Sequence, residues 1–376
     1  MILSEKLETA SRLVIYGAGP VVKQFLIGLH QTPWWQKIIC ITVSSMKGNP
    51  GTLLGLPVFP LRNLPLEAKD ALFLVATIYP HYQEICRTLH RYGYKNILDC
   101  TFESAVAQRL RELLAKRHAE TAGERYHTKD CLSSVTPNSD ATRKSLAIYE
   151  LRTHLSPPQL QTDRNSFLIP LQVGRSLTSK LLAPLADTHG INISSRFLRY
   201  RELTGTYWAY KHSLSKWIGI CSQSRHFLLS EDDCRRLIAS DYDVVLPTPI
   251  MNSPSVNAVY AHDHVFSDWM QMLDILDAMY PSYHETALRY FQGHWYHGFN
   301  MLIARADVFD AYCNWLFPLL FELDRQIPER EGLQQQVIAY LSDHLSSLYF
   351  EAHRHQLNIL YVPVRFLPPL SDKQEQ

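Results

Sequence analysis

The sequence predicts an α/β protein of two domains, the first built on a parallel sheet. Three observations predict it. Short β-prone runs alternate with amphipathic helical runs over the first quarter of the chain, a polar aperiodic stretch interrupts them, and a second strand and helix alternation follows. At 376 residues the chain also exceeds the roughly 150 residues of a typical domain, so each half is long enough to bury its own core. The expected division is a first domain over 1–105, a helical and polar linker over 106–143, and a second domain over 144–376.

The first element is the apolar run RLVIY, ending at Gly17-Ala18-Gly19-Pro20, after which VVKQFLIGLH carries helical spacing. Further strands fit Ile38 to Val43, Ala71 to Ala76 and Lys95 to Leu98, and the amphipathic HYQEICRTLHRYG stops at Gly93. Such alternation implies parallel strands with right-handed crossovers. From Ser104 the charged run AVAQRLRELLAKRHAE predicts a helix, and Thr121 to Arg143 is polar without period, which reads as a linker. In the second domain, strands are expected at Ser145 to Leu151, Ser166 to Val173, Trp217 to Cys221, Asp243 to Pro247, Gly298 to Arg305 and Asn358 to Pro363. Helices are expected at SLTSKLLAPLAD, Asp263 to Met279, Ala306 to Asp324 and Gly332 to Tyr349.

Lys and Arg number 37 against 36 Asp and Glu, a net charge of +1, which argues against a chain built to bind nucleic acid. The seven cysteines form no CxxC pair and are odd in number, which suits a reducing cytosol. MILSEKLETASRL lacks the basic and apolar regions of a secretory signal, and no apolar run approaches the roughly 18 residues of a membrane span. The expected location is cytoplasmic, with any membrane contact peripheral. Trp34-Trp35 and the Trp315 to Leu320 run would serve such contact, although the ordinary place of such patches is a core.

Gly17 and Gly19 suit a turn whose free N–H groups and helix dipole receive a phosphate, a candidate nucleotide site. Two departures weaken a dinucleotide reading: Val22 stands where a small residue is wanted, and Val43-Ser44-Ser45 ends the second strand without an acidic residue. An NAD-dependent oxidoreductase therefore rests on two glycines alone. The segments GLPVFPLRNLP and LFLVATIYPHYQEICRTLHRYGYKNI resemble the Rossmann-like N-terminal domains that accompany many bacterial sugar-modifying enzymes.

The informative blocks lie later: IPLQVG from Ile169, DTHGINIS from Asp187, ELTGTYWAYK from Glu202, WIGIC from Trp217, DVVLP from Asp243 and FNMLIAR from Phe299. In this order and spacing, the region from Ser145 to Leu367 resembles a bacterial glycosyltransferase family of capsule and lipopolysaccharide clusters, long catalogued as a domain of unknown function. The resemblance implies a GT-A-like α/β glycosyltransferase domain that takes a nucleotide sugar, a UDP-hexose or UDP-galactofuranose, to extend a glycan or lipid-linked glycan. It implies donor contacts from Gln172, Gly174, Asn192, Ser194, Tyr207, Lys211, Arg225 and Asn300.

Glycosyl transfer develops positive charge on the sugar and negative charge on the leaving diphosphate, so a carboxylate and cations are required. Glu202 and Asp243 are the candidate catalytic carboxylates, either able to take the acceptor proton. Tyr207 suits stacking on a base or sugar, and Lys211 a phosphate. Where the resembled family carries a His-Tyr-Arg-Arg-Tyr-like run, this chain reads Ser222-Gln223-Ser224-Arg225-His226-Phe227, which leaves Arg225 to stabilise the pyrophosphate without metal. His262-Asp263-His264 and the Asp241, Asp243 pair have metal-like spacing but no third ligand, so no metal is expected. The helix through Gln336, Asp343 and His344 lacks the arginines of its counterpart in the family, which weakens any acceptor or phosphate assignment from it. The altered run also motivates an alternative, a non-catalytic nucleotide- or glycan-binding subunit of the same pathway.

Overall fold

A computed structural model describes residues 2–30, 32–77, 79–157 and 165–367. The chain forms two compact units, Met1–Gly123 and Glu124–Gln376.

The first unit runs α1 (Ile2–Thr9), β1 (Leu13–Tyr16), α2 (Pro20–His30), β2 (Ile38–Val43), β3 (Thr52–Leu53) and β4 (Leu56–Pro60). It continues through β5 (Leu72–Val75), α3 (Tyr79–Arg91), β6 (Ile97–Asp99) and α4 (Ala105–Thr121). Its sheet has the order β3-β4-β2-β1-β5-β6. All neighbours are parallel except the short β3 against β4. β1 and β5 are buried at every position, the mark of parallel strands covered on both faces.

Helix α4 begins at Ser104, whose hydroxyl accepts the Ala107 N–H. It buries Val106, Leu110 and Leu114, the last two close over Gly28 of α2. The apolar stripe inside a charged run thus makes 105–121 part of the first unit. The rest of the expected linker is held in the second unit by side chains. Arg235 Nη1 donates to the Ser139 carbonyl at 2.9 Å, Lys129 pairs with Asp233 at 3.2 Å, and Leu132 is fully buried. Aperiodicity marked a segment ordered by tertiary bonds, not a tether.

The second unit runs β7 (His127–Thr128), β8 (Leu146–Arg152), β9 (Leu168–Gln172), β10 (Leu185–Ala186), α5 (Phe197–Tyr200) and α6 (Leu203–His212). Next come β11 (Trp217–Ser222), β12 (Arg225–Phe227), α7 (Glu231–Ala239), β13 (Val244–Pro247), β14 (Ile250–Met251), α8 (Val256–Asp263) and α9 (Phe266–Met279). It ends with α10 (His284–Gln292), β15 (Trp295–Tyr296), β16 (Leu302–Arg305), α11 (Ala306–Gln326), α12 (Val337–Ala352), β17 (Ile359–Val362) and β18 (Val364–Phe366). The main sheet has the order β10-β9-β8-β11-β16-β13-β17-β7, with β12 and β18 branching from the β11 end. Along the main order neighbours are parallel except around β16, which runs antiparallel to both β11 and β13, and the branch strand β12 is antiparallel to β11 and to β18.

The period of two along β8 divides its side chains between two cores. Ala147, Tyr149 and Leu151 join the core under α6, α9, α11 and α12, while Leu146 and Ile148 join the opposite one. Trp315 to Leu320, weighed as a lipid contact, lies in α11 with all but Pro318 buried in the first of these cores. Two expected elements are corrected. SLTSKLLAPLAD is not a helix: after a turn at Arg175–Leu177 it runs irregularly into β10. Gln172 fixes that path, donating to the Lys180 carbonyl at 2.7 Å and accepting the Leu182 N–H at 2.9 Å. The strand expected from Gly298 begins only at Leu302, because Phe299 and Asn300 have φ of 83° and 49°.

Candidate functional site

A cavity of about 270 Å³ opens where β8 and β11 end, lined there by Leu151, Ile220, Cys221 and Ser222. Ligands of parallel sheets bind at carboxyl ends of strands, where loops diverge. Arg201 and Glu202 enter from the turn between α5 and α6, and Arg225 from the start of β12. Phe299 and Asn300 enter from the turn before β16, and Gln336, Tyr340, Asp343 and His344 from α12 or the turn leading into it. His264 and Tyr296 complete the wall.

Two of these walls are strained turns, a common property of ligand sites. Arg201 has φ 50°. At the other turn, one helix holds both left-handed residues: Asp343 accepts the Phe299 N–H at 3.1 Å and the Asn300 N–H at 2.7 Å. Asn300 donates to the Ala339 carbonyl at 3.1 Å and accepts the Ser342 hydroxyl at 2.9 Å. The Arg225 guanidinium lies over the Phe299 ring at 5.0 Å, with Nε 3.4 Å from Ser222 Oγ. Burial raises the Asp343 carboxyl to about 6, against the pull of the two N–H donors and of Arg225. Burial pushes the His344 imidazole down to about 3 and lowers His264 as well, so both are neutral near pH 7.

Three residues singled out in the sequence therefore line one cavity: Glu202, Arg225 and Asn300. Asp243 is not among the lining residues. It precedes β13 at the opposite, amino end of that parallel strand, where its carboxylate meets Arg305 at 3.0 Å and accepts the Asn358 N–H at 2.8 Å. Gln172, Gly174, Asn192 and Ser194 also lie outside the lining and use their polar groups within the protein. Buried Asp187 is the hub for two of them, accepting Gly174 N–H at 2.8 Å and Ser194 Oγ at 2.6 Å, together with Thr204 Oγ1 at 2.7 Å and Arg175 N–H at 3.2 Å. Asn192 donates to the Thr188 and Gly190 carbonyls at 3.1 and 2.8 Å, folding its own loop. Tyr207 packs edge-on against Phe317 at 4.8 Å, and Lys211 reaches back over the Tyr210 ring at 3.8 Å.

In the first unit, Gly17 has φ 115° and donates to the Thr42 carbonyl at 2.8 Å, and a side chain there would meet Val22 at 2.7 Å. Its conformation is used for the turn, and Gly19 beside it faces open space. His262 and His264 diverge: the first is exposed and pairs with Asp263, the second stacks on Tyr340 at 4.0 Å. Among the described residues no group of three His, Cys, Asp or Glu side chains is placed to hold a metal.

Sequence reasoning missed the α12 face. Gln336, Tyr340, Asp343 and His344 recur at four, three and one residues, a spacing that puts them on one side of a helix. That spacing is legible in the sequence, and the missing arginines bear on phosphate contacts alone.

The profile described as "Domain of unknown function (DUF4422)" matches residues 154–355, which include every cavity residue except Leu151. No curated protein matches the chain. Among solved structures, the chain is similar to the apo structure of the bifunctional glycosyltransferase WbbM, with a TM-score of 0.50 and 22% identity over 61% of this chain and 48% of WbbM. It thus spans about half of WbbM, and the likeness is one of fold: a mixed α/β fold shared with a glycosyltransferase. The mannosyltransferase Ktr4p of S. cerevisiae aligns over 71% of this chain and 84% of its own, with a TM-score of 0.30 and 10% identity. No helix among the described residues is long and apolar enough to cross a membrane.

Proposed function

The chain belongs to the DUF4422 family, and from that premise and the cavity we propose that it is a glycosyltransferase of the GT-A kind, preceded by a Rossmann-like domain. It moves a hexose or galactofuranose from a UDP-linked donor to a glycan or lipid-linked glycan in bacterial surface polysaccharide assembly. The observation that carries this reading is the convergence of Arg225, Glu202 and Asn300 in one cavity at the strand ends.

The leaving diphosphate gathers negative charge as the glycosidic bond breaks, and Arg225 and Arg201 supply permanent cations with planar, bidentate donors. Glu202 is half-buried in the turn before α6, where a carboxylate takes the proton of the attacking hydroxyl. Asn300, held by Ala339 and Ser342, has its second amide N–H and second oxygen lone pair left for the sugar. The arginines serve the charge that a divalent cation serves in other donor sites. The acceptor reaches the cavity from the cytoplasmic side, with any membrane contact peripheral.

The test is incubation of the purified chain with UDP-sugars, reading saturable binding and donor hydrolysis. Saturable binding with slow hydrolysis is expected. Absence of binding by every donor overturns the reading, and binding with no turnover in the presence of glycan acceptors assigns the chain to the non-catalytic binding role instead.

A further inference from the structure

His344 has no part in the reading above, yet its surroundings fix its chemistry. The ring is enclosed by four others. Tyr296 stacks on it at 5.2 Å, and Trp269, Tyr260 and Phe291 meet it edge-on at 5.0, 5.5 and 6.4 Å. Its Nδ1 is buried without a hydrogen-bond partner, while the side chain as a whole lines the cavity. Burial away from water, with His264 nearby, disfavours an imidazolium here and holds the pKa down.

A neutral imidazole carries a single proton, on one nitrogen or the other. Placed on Nδ1, that proton would be a donor sealed among rings with no oxygen or nitrogen to receive it. Placed on Nε2, it leaves Nδ1 a bare lone pair facing the rings and turns the N–H toward the open side. The second arrangement leaves an acceptor rather than a donor unpaired, and buried N–H groups are orphaned less readily than acceptors. We propose that His344 is held as the Nε2–H tautomer and donates a hydrogen bond to an oxygen of the sugar ring, making it a specificity-determining residue of the cavity.

This inference rests on the donor-site reading and adds which part of the donor lies against α12. The neighbouring groups select the sugar over the diphosphate. The arginines enter from the α5–α6 turn and from β12, whereas His344 shares its helical face with Gln336 and Tyr340 and has His264 and Tyr296 beside it in the wall. That wall offers uncharged donors and acceptors with aromatic faces, which suit hydroxyls and C–H groups. The nearest charge on the helix, Asp343, is anionic once ionised and has both oxygens engaged by backbone N–H groups, so it opposes a phosphate there.

Two measurements on the full chain test the proposal. In long-range 1H–15N spectra of histidine-labelled protein, with the His344 signals identified by their loss in His344→Phe, Nδ1 should resonate as an unprotonated nitrogen and Nε2 as a protonated one from pH 5 to 8. The opposite tautomer, or an imidazolium, overturns the assignment whatever the protein binds. In calorimetry with UDP, UDP-glucose, UDP-galactose and UDP-galactofuranose, His344→Phe should leave UDP affinity unchanged and weaken the best-bound UDP-sugar about tenfold. His344→Gln, which restores an N–H near the same place, should recover part of that loss. Equal loss for UDP and UDP-sugar, or none for either, overturns the sugar contact. Failure of the unaltered chain to bind any of the four overturns the donor-site reading and the sugar contact with it, while the spectra still decide the tautomer.

Discussion

Arg225, the proposed diphosphate contact, is held in place by its neighbours. Its guanidinium rests on the Phe299 ring at 5.0 Å, and that ring belongs to the turn clamped by Asp343, so the cation is oriented before any ligand arrives. Charge-assisted hydrogen bonds contribute about 1.5–3 kcal/mol, so Arg225→Ala should weaken UDP binding roughly ten- to a hundredfold. Arg225→Lys should recover little, because an ammonium lacks the planar fork that stacks and grips two oxygens. Calorimetric affinities would show it, and full recovery by lysine would reduce the role to bulk charge. The two carboxylates expected to share catalysis separate in the same way. Glu202→Gln should lower kcat roughly 10²–10⁴-fold with UDP affinity kept, the range for loss of a general base. Asp243→Asn should leave kcat within about twofold and lower stability by about 1 kcal/mol, since its partners are Arg305 and the Asn358 backbone. Glu202 and Asp243 were indistinguishable in the sequence because both sit in matching blocks. Only the direction of the parallel strands, with Asp243 at an amino end, tells them apart.

At the level of elements, the blocks that carry the family resemblance divide into those that face the cavity and those that hold it in place. Strands and long helices were legible because apolar periodicity reports burial directly, as the two cores on either side of β8 illustrate. The segment after β9 was not, because its path is set by Gln172 and Asp187, buried polar groups that hydrogen-bond to backbone two or more turns away and follow no apolar period. Polar residues of that kind look like ligand contacts from sequence alone. Gly174 belongs to the same brace: its φ is +64°, and a methyl group would lie 2.5 Å from the buried Phe197 ring. Gly174→Ala should therefore cost at least about 2 kcal/mol, from left-handed strain and overpacking together. Asp187→Ala should cost roughly 3 kcal/mol or more, because several buried donors lose their acceptor at once. Urea unfolding would measure both. If either variant stayed as stable as the parent but failed to bind UDP, these residues would be donor contacts after all.

For the whole molecule, titratable groups shifted by burial, inside the cavity and outside it, set opposing demands on stability as pH falls. His344 and His297 are held down by burial, to about 3 and about 4, so between pH 6.5 and 5 they protonate in the unfolded chain and stay neutral in the folded one. The stability they contribute is present above the unfolded histidine range and is lost on acidification. Asp343 works the other way. Its carboxyl, raised to about 6, takes up a proton in the folded state before the unfolded chain does, so it favours folding increasingly as pH drops from 6 toward 4. Asp310, raised by burial, acts in the same sense. Near pH 5 the two histidines give the unfolded state about two extra protons and Asp343 returns about one to the folded state, leaving a net of about one. Together these three groups then lower stability by about 1.4 kcal/mol for each pH unit toward acid. Asp343→Asn removes the opposing group and should roughly double that slope, while His344→Phe should flatten it by about one proton. Urea midpoints at pH 7, 6 and 5 for the three proteins decide the matter, since a slope unchanged by Asp343→Asn would mean that Asp343 is ionised in the folded state throughout. A carboxylate whose burial disfavours its own charge is kept at this position because the Phe299–Asn300 turn, and through it Arg225, depends on the two acceptors it provides.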